Sequence, residues 1–229
     1  MTKVLSLGGS IVAPDGPDAA FVKSFVSLAR NWLGDDPARR LIIVVGGGGP
    51  ARAWQKAFRD ILPGGEADAD AQDWIGIMAT RLNAQLVKAA FRELCPQDVV
   101  QDPTAVAVFG GRVLVAGGWK PGFSTDYDAV VLAERFQADT VVNLSNIAKV
   151  YTADPKTDPS ATPIDSISWD DFRSMVGDEW SPGKNAPFDP VASRRAQESG
   201  IRVICAAGRD LENIDSILEG RPFAGTTIG

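Results

Sequence analysis

Apolar residues along this chain recur in two alternating rhythms. Short runs at 4–7, 41–45, 139–144 and 201–205 are almost continuously apolar and rich in Val, Ile and Leu, as strands covered on both faces are. Between them the spacing becomes helical. Phe21, Phe25, Leu28 and Trp32 share one helix face, and Trp54 and Phe58 mark a helix entered through Pro50, a residue suited to a first helical turn. A long pattern from about 69 to 94 sets Ile75, Met78, Leu82, Leu86 and Ala90 on one side, the side expected to pack into the core. Further helices are predicted at about 124–137, 191–198 and 211–218, and a last short strand near 226–228. Residues 105–109 and 112–116 flank Gly110-Gly111 and predict a hairpin. Pro63-Gly64-Gly65, the proline-rich stretch 152–163 and the stretch 181–187 read as loops, the last two as borders of a site.

Alternating strands and helices with apolar strands imply an α/β fold: a largely parallel sheet, helices on both faces, and ligands beyond the carboxyl ends of the strands. At 229 residues with 45% hydrophobic composition the chain is read as one domain, 1–229. Acidic residues outnumber basic ones, 29 against 23, and no Lys/Arg run forms a stripe for phosphodiesters, so nucleic acid is not expected as a partner. No apolar stretch approaches the roughly 20 residues of a membrane helix and no leader-like segment precedes the first strand, so no membrane partner is expected and a cytoplasmic location is. Cys95 and Cys205 have no metal-clip or disulfide spacing and are read as reduced, packed thiols. Histidine is absent, which removes imidazole-based triads and His-ligated zinc from consideration. Carboxylates, cations, hydroxyls and backbone amides remain, the set that phosphoryl transfer uses.

Three glycine-rich turns follow apolar runs: Leu7-Gly8-Gly9-Ser10, Val45-Gly46-Gly47-Gly48-Gly49 and Ala116-Gly117-Gly118-Trp119. Glycine lets consecutive N–H groups turn toward an anion without a Cβ in the way, and a following helix adds its positive end. Each turn alone is also explained as a tight strand-to-helix connection; three together suggest two phosphorylated substrates meeting. No G-x-x-x-x-G-K-[ST] occurs, and the second turn lacks the dinucleotide-binding spacing.

The order Thr125-Asp126, Ala138-Asp139, Ser145-Asn146 and Val150-Tyr151-Thr152-Ala153-Asp154-Pro155-Lys156 resembles the amino acid kinase family, and within it the archaeal-type uridylate kinases. The resemblance takes in Gly8-Gly9-Ser10, Val45 to Gly48 with Arg52, Asp73 to Ile77, Thr80 to Ala84, Asp189-Pro190 and Gly225 to Ile228, so it runs end to end. It implies a three-layer α/β/α fold with an open, mainly parallel sheet of roughly eight strands. It also implies transfer of the γ-phosphoryl of MgATP to UMP, giving UDP, by a homo-oligomer, hexameric in similar members. The acceptor-binding part would lie mainly in 1–125 and the ATP-binding part mainly in 126–229. Carried over by position, Gly9, Ser10, Gly48, Arg52, Ser145, Asn146, Tyr151 and Asp154 would hold ATP. Gly47, Asp73, Trp119, Lys120, Pro121, Gly122, Phe123, Ser124 and Thr125 would hold UMP.

Each assignment has a structural competitor. Asp154 and Tyr151 could meet a nucleoside, or their loop could cap the sheet edge. Asp73 could accept from a ribose diol or favour its helix N-terminus. Asp126, expected beside the transferring phosphoryl, could orient a cation or Mg²⁺, while Ser124-Thr125-Asp126 is also explained by helix capping.

Relatives commonly carry a lysine where this chain has Ser6, so another cation is needed: Arg52 first, then Lys184, with Lys120 and Arg194 as further candidates. Ala148-Lys149 replaces the Asp-Gly expected before Val150, and Trp119, Lys120 and Phe123 make a bulkier acceptor loop. These departures leave two alternatives to a uridylate kinase. One is a kinase of the same fold for another small phosphate, carboxylate or phosphonate. The other is a nucleotide-binding protein without turnover.

Overall fold

In the computed structural model of the chain, residues 1–62, 68–155, 157–177 and 186–229 are described. The first half runs β1 (Thr2–Leu7), α1 (Gly9–Val12), α2 (Ala19–Gly34), β2 (Arg40–Val45), α3 (Gly48–Ile61), α4 (Ala69–Phe91), β3 (Val113–Ala116), α5 (Thr125–Arg135) and β4 (Thr140–Ser145). The second half continues β5 (Val150–Tyr151), β6 (Pro163–Ile164), β7 (Ser166–Ile167), α6 (Trp169–Val176), α7 (Pro190–Glu198), β8 (Arg202–Ala207), α8 (Leu211–Glu219) and β9 (Thr226–Ile228). Most longer helices begin on a side chain that accepts from an amide of the first turn: Asp18, Asp68, Ser124, Ser168, Asp189 and Asp210. Helix termini leave such amides without partners, and these caps supply them.

Among the described residues the main sheet has seven strands in the order β3-β2-β1-β4-β8-β9-β7, against the roughly eight expected. The five from β3 to β8 are parallel; β9 is antiparallel to β8 and parallel to β7. A separate antiparallel pair, β5–β6, carries the proline-rich loop. Strand order reverses between β1 and β4, so the carboxyl ends of those two strands flank the crevice where ligands of such sheets sit.

Alternate residues of each strand feed two apolar layers. Leu5, Leu7, Ile43, Val45, Val115 and Leu144 meet Phe25, Trp32, Val87, Phe91 and Ile214 from α2, α4 and α8. Val4, Ile42, Val44, Leu114, Val141 and Val203 meet Ala129, Val130, Phe172, Ala192 and Ala196 from α5, α6 and α7. At roughly 1.5–3 kcal/mol per fully buried large aliphatic or aromatic side chain, these layers supply most of the drive to fold. Among the described residues no helix is long and apolar enough to cross a membrane.

Two expectations change, and others are missing or untested. The 105–109 and 112–116 hairpin is absent: residues 105–109 form no strand, and β3 pairs in parallel with β2. The two glycines join a loop to a parallel strand because β2 offers a longer apolar edge than 105–109 does. On α4 the core face is Ile77, Ala84, Val87 and Phe91, whereas Met78, Leu82 and Leu86 are 58%, 70% and 39% exposed. The helix is apolar on two sides, so spacing alone could not choose between them. The short elements β5, β6, β7, α1 and α6 went unpredicted, although Ser168 followed by Trp169, Phe172 and Val176 carries an N-cap and a helical spacing. Finally, Lys184, the 63–65 loop and residues 181–185 of the second loop lie outside the described residues.

A Cβ built on Gly9 falls 2.1 Å from the amide nitrogen of Gly48, whereas one on Gly34, inside α2, meets nothing within 4 Å. Gly9→Ala is therefore expected to destabilise the protein by at least about 2–3 kcal/mol, and Gly34→Ala to stabilise it by up to about 1 kcal/mol. Urea denaturation of the two variants beside the parent checks both signs.

Candidate active site

The crevice between the ends of β1 and β4 is built largely from main chain. Gly8 donates its N–H to the Leu144 carbonyl at 2.9 Å, which ties the first glycine turn to the end of β4. Gly46 donates to Leu7 at 3.0 Å and Gly49 to Ala13 at 2.8 Å, which lays the second turn along the first. Gly48 adopts φ +64°, a left-handed conformation natural to glycine, as α3 begins. From below, the Asn83 amide donates to the carbonyls of Gly46 and Gly47 at 2.9 and 3.1 Å. Among the described residues no hydrogen bond takes the N–H groups of Gly9, Ser10, Gly47 or Gly48. Two adjoining turns thus retain amide donors where α1 and α3 start, the arrangement that binds phosphate.

A carboxylate cluster lies under these turns. Ser6, near the end of β1, donates its hydroxyl to Asp126 Oδ1 at 2.7 Å, and the Asp189 amide donates to Asp126 Oδ2 at 3.4 Å. Desolvation pushes the Asp126 carboxyl up to about 6, with the neighbouring Asp189 charge adding to it and the Ser6 hydroxyl opposing it. Asp189 is itself raised by burial while its side chain caps α7 through Ala192 at 2.7 Å. Among the described residues no cation pairs with Asp126, and no group of three or more His, Cys, Asp or Glu side chains could hold a metal ion.

The third glycine turn departs from expectation. Its amides are consumed inside the protein: Gly117 donates to the Val100 carbonyl at 3.0 Å, Gly118 to Thr80 Oγ1 at 2.6 Å, and Trp119 to Asp128 Oδ2 at 3.1 Å. It is therefore no amide cradle for phosphate; its glycines let the backbone pass close over α4, where Arg81 and Thr80 lie 2.9 and 3.1 Å from the Cβ positions. Arg81 donates from Nε to the Gly118 carbonyl at 3.1 Å and from Nη2 to the Trp119 carbonyl at 2.8 Å. Farther along, Asp73 accepts the Gly122 amide at 3.0 Å. Trp119, Phe123 and Tyr127 then pack in series as tilted rings, with centroids 5.0 and 4.6 Å apart, and the Lys120 ammonium lies 4.0 Å from the centre of the Trp119 ring.

The predicted site residues thus divide into groups. Gly9, Gly47 and Gly48 are in backbone contact, and Ser10 follows them on α1. Ser145 closes β4, its Cα 3.6 Å from a Cβ built on Gly8, and exposed Asn146 follows. Arg52, on α3, donates to the Pro14 carbonyl at 3.1 Å, in the loop that the second turn also abuts. Asp73, Trp119 and Gly122 are joined through α4, with Lys120, Pro121 and Phe123 between and beside them, and Ser124 and Thr125 lead into α5 with Ser124 as its cap. Tyr151 ends β5 and Asp154 lies in the loop between β5 and β6, a pair that hangs on β9 through the Val150 amide, which donates to Thr226 Oγ1 at 2.8 Å. Asp128 carries no expected role, and Thr80, Arg81 and Asn83 appear only within a motif. The available signal was their polarity on apolar helix faces.

A model of the amino acid kinase family matches residues 1–207. A uridylate kinase of Methanospirillum hungatei is 37% identical over 99% of this chain and 94% of its own length. A uridylate kinase of Hyperthermus butylicus is 34% identical over 99% of this chain and 97% of its own. The crystal structure of a uridylate kinase from Archaeoglobus fulgidus superposes with a TM-score of 0.83 at 33% identity, covering 100% of both chains. A UMP kinase from Bacillus anthracis, with a TM-score of 0.77 at 17% identity over 100% of this chain and 95% of its own, shares the fold.

Burial pushes the Asp128 carboxyl up to about 7 from an ordinary value of 3.8, and one of its oxygens has no partner. The folded chain thus holds this proton over a pH range where the unfolded chain has released it, so the group's contribution to stability falls as pH rises from about 4 to about 7. Asp128→Asn removes that loss. The melting temperature of Asp128→Asn minus that of the parent is expected to grow between pH 4 and pH 8, measured by calorimetry in one buffer series.

Proposed function

From the premise that the chain belongs to the amino acid kinase family, we propose that it transfers the γ-phosphoryl of ATP to UMP, giving UDP. The observation that carries this reading is the pair of abutting glycine turns at the switch point, with uncommitted amides at Gly9, Ser10, Gly47 and Gly48. Two phosphorylated substrates approaching from opposite sides of one crevice need such a main-chain floor between them. ATP lies on the β1–β4 side, with its phosphates on Gly9, Ser10 and Gly48 and near Arg52. Its nucleoside end extends past Ser145 and Asn146 toward Tyr151 and Asp154. UMP lies on the β2–β3 side, with Gly47 at its phosphate and Asp73 and residues 119–125 around its remainder. This division gives the acceptor mainly 1–125 and ATP mainly 126–229.

Asp126 sits beneath the junction. A carboxyl there is anionic once deprotonated, and burial raises the pH at which it gives up its proton. Ser6 holds it by one hydroxyl where a lysine would have brought positive charge. The charge that gathers on the transferred group is met instead by Arg52, by Lys184, by the positive end of α3, and by Mg²⁺ bound to the ATP phosphates. A magnesium ion keeps most of its ligands among phosphate oxygens and water and needs only one or two carboxylates from the protein, a role for which Asp126 is suited.

The active form is a homo-oligomer, hexameric by family resemblance, and an apolar stripe supports it. Trp74, Met78, Leu82 and Leu86 recur every fourth residue along α4 and are exposed, with Trp54 and Ile61 exposed on α3. Such a stripe marks a surface that binds protein. Two unpaired, buried cysteines agree with a reducing compartment, the cytoplasm.

Incubation of the protein with MgATP and a panel of nucleoside monophosphates, small phosphates, carboxylates and phosphonates is expected to release ADP fastest with UMP; faster release with another acceptor, or none at all, overturns the assignment. Asp126→Asn is expected to lower kcat by roughly 10²-fold with the fold retained, the scale of losing one positioned group at a reacting centre. Leu82→Glu is expected to reduce the mass measured by light scattering.

A further inference from the structure

Asp128 lies on α5 between apolar neighbours, Ala129, Val130 and Leu132 among them, and its side chain is fully covered. Packing alone does not call for a carboxyl there. One oxygen accepts the Trp119 amide at 3.1 Å, and the other, Oδ1, is buried without a partner among the described residues. A buried polar oxygen left unsatisfied is costly, so its retention asks for a reason.

The reason lies in the peptide it holds. The N–H of Trp119 and the carbonyl of Gly118 belong to one peptide group, and that carbonyl accepts from Arg81 Nε at 3.1 Å. The peptide dipole therefore spans a guanidinium and a carboxyl, each at its favourable end. A flipped peptide would lose both bonds and face its N–H to the Arg81 guanidinium, which cannot accept, so the observed orientation is favoured. The same Arg81 fixes the next carbonyl, and Asp73 takes the Gly122 amide. The charged groups facing Asp128 are Arg81, Asp102 and Asp126.

We infer that Asp128 is a positioning residue for the acceptor: with Arg81 it locks the Gly118–Trp119 peptide, and through it the course of residues 119–125, so that its loss weakens binding of the acceptor and not of ATP. The inference rests on the reading that this loop meets the acceptor. A merely structural Asp128 would affect both substrates alike or neither.

Two measurements on Asp128→Ala and Asp128→Asn test it: hydrogen exchange of the backbone amides of residues 118–122 in the free protein, and separate KM values for UMP and ATP. In Asp128→Ala the exchange is expected to accelerate and the UMP KM to rise about tenfold or more, the scale of one lost hydrogen bond to a buried partner, with the ATP KM within about twofold of the parent. Asp128→Asn, which keeps an accepting oxygen, is expected to restore both within about threefold. Unchanged exchange in Asp128→Ala, equal rises in both KM values, or no rescue by asparagine overturns the inference. Should Asp128→Ala not fold, Arg81→Lys perturbs the other pole of the same peptide, and an unmoved UMP KM there overturns it. If the parent turns over another acceptor of the panel and not UMP, the proposed activity fails, while the exchange measurement and that acceptor's KM still decide the clamp.

Discussion

Two stretches of backbone touch with no side chain between them, and the rest of the site is arranged around that contact. Gly9 lies so close to the second turn that any Cβ would overlap the amide nitrogen of Gly48. The approach is possible because β1 and β2 are adjacent and parallel over six residue pairs, which delivers both turns to the same edge at the same height. Once they touch, α1 and α3 start side by side, and among the described residues the amides of Gly9, Ser10 and Gly48 have no partner. An anion is the natural complement, and the nearest side chains are left to grade its charge and orientation.

Helix α4 acts as a strut with two working sides. One side reaches up to the loops: Asn83 to the second glycine turn, Thr80 and Arg81 to the third, and Asp73 to the segment beyond. The other side exposes an apolar stripe. A helix that carries both cannot also turn its most regular apolar row into the core, which is why Met78 and Leu82 lie outside. Association of copies through that stripe would therefore bear on the same helix that holds the loops of the site.

The electrostatics of the crevice run against intuition. Anionic substrates are expected where Asp126, Asp128 and Asp189 are gathered. All three are shifted upward, chiefly by desolvation, so each keeps its proton to a higher pH than an exposed carboxyl does. Their accepting oxygens serve as anchors: Asp126 for Ser6, Asp128 for the Trp119 amide, and Asp189 for the start of α7. Carboxyls are used here as hydrogen-bonding fixtures while main-chain amides and cations are left to face phosphate.

The chain's own pattern determined the class of fold and the strand ends at which the glycine turns lie. Continuously apolar strands at 4–7, 41–45, 139–144 and 201–205 can only be satisfied by a sheet covered on both sides, and the glycines that follow the first two mark where backbone must approach closely. These are local signals, written in composition and spacing. What α4 buries, what β3 pairs with and where the third turn spends its amides were decided only by tertiary structure. Each depended on a competition between partners distant in sequence: two apolar faces of one helix for one core, two neighbours for one strand edge, and Thr80 and Asp128 against a ligand for the same N–H groups. Local pattern lists the contestants, but only the packed chain, in which every buried polar group must find a partner, selects the winner.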